Sequence, residues 1–130
     1  QKKDLENAES RAVSICHLYI RMRDFGKPCV CCGEPLGEGY HAGHLFESGN
    51  NTIIRFNEFN IHGQRAICNT AYNGDSGSYK PNAIKRVGLE KYNELKILSE
   101  SKVVCRLTIE DYLNIIDYYK GKINDLQSAA

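Results

Sequence analysis

Cys29-Val30-Cys31-Cys32-Gly33, His41-Ala42-Gly43-His44, Asn60-Ile61-His62 and Cys68-Asn69 follow one another along the middle of this chain. The first segment is a C-x-x-C ending in glycine, a tight turn that aims the thiolates of Cys29 and Cys32 at one point. Two histidines follow, on a stretch near Tyr40–Phe46 that reads as a strand between the turn signals Gly37-Glu38-Gly39 and Ser48-Gly49-Asn50-Asn51. Cys68 offers a third sulfur, and Asn69 directly after it offers a polar oxygen. A lone C-x-x-C is a weak signal, whereas this ordered set points to zinc beside a His/Asn pocket.

The flanks read as helices. From about Asn7 to Phe25, Ala8, Ala12, Ile15, Cys16, Tyr19 and Ile20 recur at helical spacing, and Gly26 with Pro28 ends the run. Thr52–Phe56 reads as a second strand, and a short helix should start close to Cys68. Pro81 suits the first turn of a helix over Asn82–Val87, Gly88 breaks it, and Leu89–Leu98 continues as another helix. Val103–Leu107 reads as a short extended piece. Thr108, with Asp111 three residues later, resembles a capping box for a long final helix. Its expected core stripe is Ile109, Leu113, Ile116, Tyr119, Ile123 and Leu126, with Tyr112 and Tyr118 able to serve either face. No internal repeat, low-complexity tract or linker stands out.

A chain of 130 residues suits one domain with a modest core. Six cysteines would fit a disulfide scaffold, but three cluster in the C-x-x-C span. Cys16 and Cys105 stand alone in amphipathic segments, where a small buried apolar side chain is expected. The usage suggests a reducing cytoplasm. No apolar run is long enough for a signal peptide or a membrane span. The net charge of +1 gives no general attraction to nucleic acid, so a binder would need a local basic stripe. Lys80, Lys85, Arg86, Lys91 and Lys96 form such a cluster, with Arg21, Arg23, Lys27, Arg55 and Arg65 elsewhere.

The residues from Tyr19-Ile20-Arg21-Met22-Arg23-Asp24 through Gly26-Lys27-Pro28-Cys29, Cys32-Gly33, Tyr40-His41-Ala42-Gly43-His44, Arg55-Phe56-Asn57-Glu58, Asn60-Ile61-His62-Gly63-Gln64 and Cys68-Asn69 resemble the NinG (Rap) recombination endonucleases of lambdoid phages, a branch of the His-Asn-His nucleases. The likeness continues more loosely through Gly74, Tyr79 and Gly88 to the final helix. It implies an α+β fold: a treble-clef ββα-metal core over 29–76, an N-terminal helix within 1–28 and a helical part over 77–130. The family pattern has a second C-x-x-C before Asn, whereas here Arg65-Ala66-Ile67-Cys68 leaves a thiolate missing. Cys29, Cys32 and Cys68 would then hold structural zinc with His62 as the candidate fourth ligand. Cys31 is an extra sulfur expected to point elsewhere.

Hydrolysing a phosphodiester requires an activated water and stabilised phosphate charge. The resemblance gives His44 the place of the base, with Gly43 allowing close backbone approach. It gives His41 and Asn69 a catalytic Mg2+ or Mn2+, and Asn60 the bracing of the loop that carries the base. His62 is otherwise a metal ligand or phosphate contact. On a straight strand His41 and His44 face opposite sides, so a bend or bulge at Ala42-Gly43 is expected if both are to reach one metal. Arg55, Arg65, Lys80, Lys85 and Arg86 are the candidate DNA contacts. The implied function is a metal-dependent endonuclease acting on branched DNA, such as Holliday junctions or D-loops, as a homodimer in the cytoplasm of a phage-infected bacterial host, with no membrane role. The alternative is a non-catalytic zinc-finger DNA-binding module derived from such a nuclease. A partner-binding protein using the Tyr-rich final helix has no support beyond that helix.

Overall fold

The computed structural model describes residues 1–49, 51–71, 78–101 and 106–130. Gly74, Cys105 and the first part of the Val103–Leu107 piece lie outside them. In chain order the elements are α1 (Lys2–Arg23), β1 (His41–His44), α2 (Thr52–Arg55), a single 3-10 turn (Glu58–Asn60), β2 (Ile61–Gln64), α3 (Ala66–Ala71), α4 (Tyr79–Val87), α5 (Leu89–Ser99) and α6 (Ile109–Ala129). Among the described residues the result is a helix-rich α+β arrangement with a small two-stranded sheet.

The largest core lies between α1 and α6. Ala8, Ala12, Cys16, Tyr19 and Ile20 pack against Tyr112, Ile116, Tyr119 and Ile123, with Phe56 and Ile61 closing the end nearest the sheet. Each large apolar side chain buried there contributes about 1.5–3 kcal/mol. Helix α1 starts earlier than the periodicity suggests, and Asp4 in its first turn complements the helix dipole. Cys16 is fully buried, as a small apolar side chain would be. Thr108 caps α6 as the sequence indicates: its Oγ1 accepts from Asp111 N at 3.1 Å, and Asp111 Oδ2 accepts from Thr108 N at 2.8 Å. The core stripe of α6 is rotated from the expected one. Tyr112 is buried while Leu113 is 41% exposed, because 112, 116, 119 and 123 share the face toward α1.

Thr52–Phe56 is not a strand. Asn51 accepts from Ile53 N and Ile54 N, and so caps the short helix α2. The Asn51 amide also donates to the Leu98 carbonyl at 2.8 Å. That cap and the burial of Ile54 outweigh the strand preference of the two β-branched isoleucines.

The sheet is antiparallel, with His41 opposite Gln64, Ala42 opposite Gly63, Gly43 opposite His62 and His44 opposite Ile61. The pairing is continuous, so the expected bulge at Ala42-Gly43 does not occur. Gly43 has another use: a Cβ there would lie 2.1 Å from Oε1 of the buried Gln64, whose side chain would have to shift.

Asp24, at the end of α1, ties the helix to the sheet. Its buried carboxylate accepts from Gly63 N at 2.7 Å and from Arg23 at 2.8 and 3.0 Å, with Lys27 at 3.3 Å and Arg86 at 3.6 Å. Burial alone would raise its pKa, but the Arg23 bonds and charge, the Gly63 N–H and Lys27 outweigh it and hold the value at about 2. Because the folded value lies below the unfolded value of 3.8, the stabilisation is complete above that pH and is lost as pH falls toward 2. The Asp24→Asn variant should be less stable by about 2 kcal/mol at neutral pH. The difference between the two proteins in urea titrations should hold above pH 4 and shrink below it; a difference independent of pH would show that the charge of Asp24 is not responsible.

Candidate active site and metal centre

The cysteine turn is set by its backbone. Cys29 N donates to Glu34 O at 2.8 Å and Gly33 N to Cys29 O at 2.9 Å, with Gly33 in the left-handed region at φ +76°. Val30 N donates to Gly63 O at 3.1 Å and fastens the turn to β2. Cys68 arrives from the first turn of α3. The Cys29, Cys32 and Cys68 sulfurs all lie within 4.8 Å of one another, and Cys29 and Cys68 are 4.0 Å apart. Zinc–thiolate bonds of about 2.3 Å place sulfurs about 3.8 Å apart across a tetrahedron, so the three fit a zinc ion.

Without a bound cation the thiols of Cys32 and Cys68 ionise unequally. Burial opposes ionisation of Cys32, yet the Glu34 N–H and the Arg65 guanidinium bring its thiol down to about 7. Cys68 is pushed up to about 12, by burial first and by its neighbouring sulfurs second. Arg65 follows β2 and faces this group: its N–H donates to Cys29 Sγ at 3.2 Å and its Nη1 to Cys32 Sγ at 3.6 Å. Cys31 lies outside the group of three converging sulfurs but beside it. It is fully buried in one cluster with Cys29, Cys68 and Leu36, and its thiol interacts with that of Cys68.

His62 does not join the sulfurs. Its Nε2 hydrogen-bonds the Phe59 carbonyl at 2.9 Å, and its ring meets that of Tyr79 edge-on with the centroids 6.2 Å apart. Burial, reinforced by the nearby Arg23 charge, lowers its pKa to about 4, so it is a neutral packing group.

His44 ends β1 and donates from Nε2 to the Arg55 carbonyl at 3.1 Å. That bond leaves the Nδ1 lone pair available. Burial lowers the pKa of His44, the Arg55 carbonyl opposes the change, and the Arg55 charge adds to it. Asn60 is fully buried just beyond. Its Oδ1 accepts from Phe46 N at 2.9 Å, and its Nδ2 donates to Phe46 O at 3.0 Å and Ile54 O at 3.1 Å. The amide therefore fastens the segment after His44 to α2.

His41 faces a cleft of about 910 Å³ together with Asn69, His17, Arg21, Met22, Phe25, Gly39, Tyr40 and Ala42. Asn69 Nδ2 lies 2.9 Å from His41 Nδ1, so α3 and β1 bring this pair together. His44 does not line the cleft. It connects to it through His17, whose ring meets that of His44 edge-on at 5.8 Å. Burial and the neighbouring His44 lower the His17 pKa to about 4. The sequence reading missed His17; its one signal was a histidine placed next to the buried Cys16 on the inner side of α1.

The candidate DNA contacts divide into two groups. Arg55 pairs with Glu9 at 2.8 Å and stacks over Phe56, while Arg86 donates to the Pro28 carbonyl at 2.6 Å and pairs with Asp24. Both hold the fold together. Lys80 and Lys85 are exposed on α4, with Lys80 over the Tyr92 ring, and Arg65 is occupied by the thiols.

The sequence matches the family described as Bacteriophage Lambda NinG protein over residues 1–129. This chain belongs to the NinG family. Among NinG relatives, "Protein ninG" of Escherichia phage lambda is 32% identical over 119 residues, covering 92% of this chain and 57% of that protein. The NinG proteins of Salmonella phage P22 and Escherichia phage 933W are 31% and 30% identical over the same share of this chain. The chain thus spans somewhat over half the length of these NinG relatives. No solved structure matches it. Among the described residues, no helix is long and apolar enough to cross a membrane.

Proposed function

We propose that this chain is a divalent-metal-dependent endonuclease for branched DNA, built on a zinc-held ββα core of treble-clef type. The observation that supports it most directly is the His44 Nε2 bond to the Arg55 carbonyl at 3.1 Å. It orients a neutral imidazole with Nδ1 unprotonated, the state a general base needs. His44 would take the proton from a water at the edge of the cleft, which it adjoins through His17, and Asn60 keeps the segment carrying it in place. His41 and Asn69 would hold Mg2+ or Mn2+, which when bound stabilises charge on the phosphate; the imidazole suits manganese better than magnesium. Cys29, Cys32 and Cys68 would hold zinc and position the α3 end that carries Asn69. Holliday junctions or D-loops as substrates, paired nicks by a homodimer and a role in phage recombination extend the family resemblance.

A second reading, a zinc-finger DNA-binding module without catalysis, is favoured by Arg65 standing over Cys32 where the family pattern carries a thiolate. A nicking assay on a four-way junction separates the two. Nicking that requires Mg2+ or Mn2+ supports the enzyme; salt-sensitive binding without nicking supports the module. In either case Lys80→Gln with Lys85→Gln should weaken binding to all DNA forms and reduce the salt slope by about two. An unchanged slope would return both lysines to a solvated helix face.

A further inference from the structure

The cleft beside His41 and Asn69 has a wall that phosphate binding does not require. Met22, Phe25, Tyr40 and Ala42 give it an apolar lining, and Arg21 lines it as a cation. Phe25 is 81% exposed, the most exposed of the large hydrophobic side chains among the described residues. It does not sit on a loose tail. Asp24 before it is buried and ion-paired, Phe25 N donates to Met22 O at 3.4 Å, and Lys27 N donates to Asp24 O at 2.9 Å. The backbone is thus held on both sides of Phe25, whose side chain lines the cleft. Tyr40 is also fixed, its hydroxyl donating to the Arg21 carbonyl.

We propose that this wall is a stacking site for one unpaired nucleobase of a DNA strand, with Phe25 as its principal platform. The proposal rests on the nuclease reading above and names its substrate class: DNA with an unpaired base close to the phosphate that is cut. A flat π-face is what an anchored, solvent-facing phenyl ring accepts best, and stacking tolerates any base. A paired base inside a duplex has both faces covered and must first be unstacked, whereas an unpaired base has little or nothing to give up. Arg21 supplies the positive charge that a backbone phosphate next to that base needs. The cleft, at about 910 Å³, is within the size range of ligand sites and admits a base with its sugar.

The test compares wild type, Phe25→Ala and Phe25→Trp by fluorescence anisotropy on two labelled probes, a duplex with a single unpaired thymine and the same duplex fully paired. Magnesium, manganese and chelator are omitted, so no strand is cut and zinc is retained. Wild type should prefer the unpaired probe. Phe25→Ala should lose about five-fold or more on that probe and change little on the paired one, and Phe25→Trp should restore the preference. No wild-type preference, no effect of Phe25→Ala or an equal loss on both probes overturns the stacking site and leaves the nuclease reading standing. A Phe25→Ala protein that changes from dimer to monomer in sedimentation also overturns it, by assigning the ring to a second copy of the chain. Failure of wild type to bind any DNA overturns both readings together.

Discussion

His44→Ala should abolish nicking of a four-way junction, with a loss of at least about 100-fold, while melting temperature and DNA binding stay close to wild type. The substitution removes a proton acceptor whose Nε2 bonds the Arg55 carbonyl at the partly exposed end of α2. His41→Ala and Asn69→Ala should also slow nicking but respond differently to metal. Excess manganese can refill a weakened cation site by mass action, whereas no concentration of metal replaces a missing base. The measurement is nicking over a manganese series for the three variants. Because burial lowers the His44 pKa below that of an ordinary histidine, the base stays neutral into mildly acidic solution, so wild-type nicking should persist below pH 6.5 before it falls. Near-normal activity of His44→Ala would return this histidine to a packing role.

Chelation should have the second large effect. Protein purified without chelator is expected to carry about one zinc per chain, and its removal should lower Tm by roughly ten degrees or more, since metal binding free energy is folding free energy. The sulfurs of Cys29, Cys32 and Cys68 converge from a turn and a helix whose shared cluster, among the described residues, adds Cys31, Leu36 and the partly buried Tyr40, alongside the Val30–Gly63 and Arg65–Cys29 hydrogen bonds. Cys68→Ser should reproduce the loss. Arg65→Cys should act in the opposite direction, slowing zinc transfer to a chelator about ten-fold or more, because it completes the C-x-x-C that this chain lacks. A metal-free protein whose melting ignores chelator would remove zinc from the account.

Local chemistry was readable from the sequence wherever neighbouring residues decide the outcome. The Thr108–Asp111 capping box, the Gly88 break, the helix near Cys68 and the C-x-x-C turn each depend on a few adjacent residues, and each has the expected form. The zinc-binding potential of Cys29, Cys32 and Cys68 followed from spacing for the same reason. Other outcomes depend on contacts distant in sequence. Asn51, Ile53 and Ile54 form a helix cap because Asn51 also reaches Leu98 and Ile54 enters the interior. The stripe of α6 is set by the face α1 offers, which brings Tyr112 inward in place of Leu113. Arg55 and Arg86 look like any exposed cations until Glu9 and Asp24 are placed beside them. His17 enters the site only because α1 packs along β1. Spacing along the chain determined which residues turn, cap and chelate; tertiary packing decided which charges are paired, which histidines meet and which faces are buried, since those energies belong to contacts that no local pattern encodes.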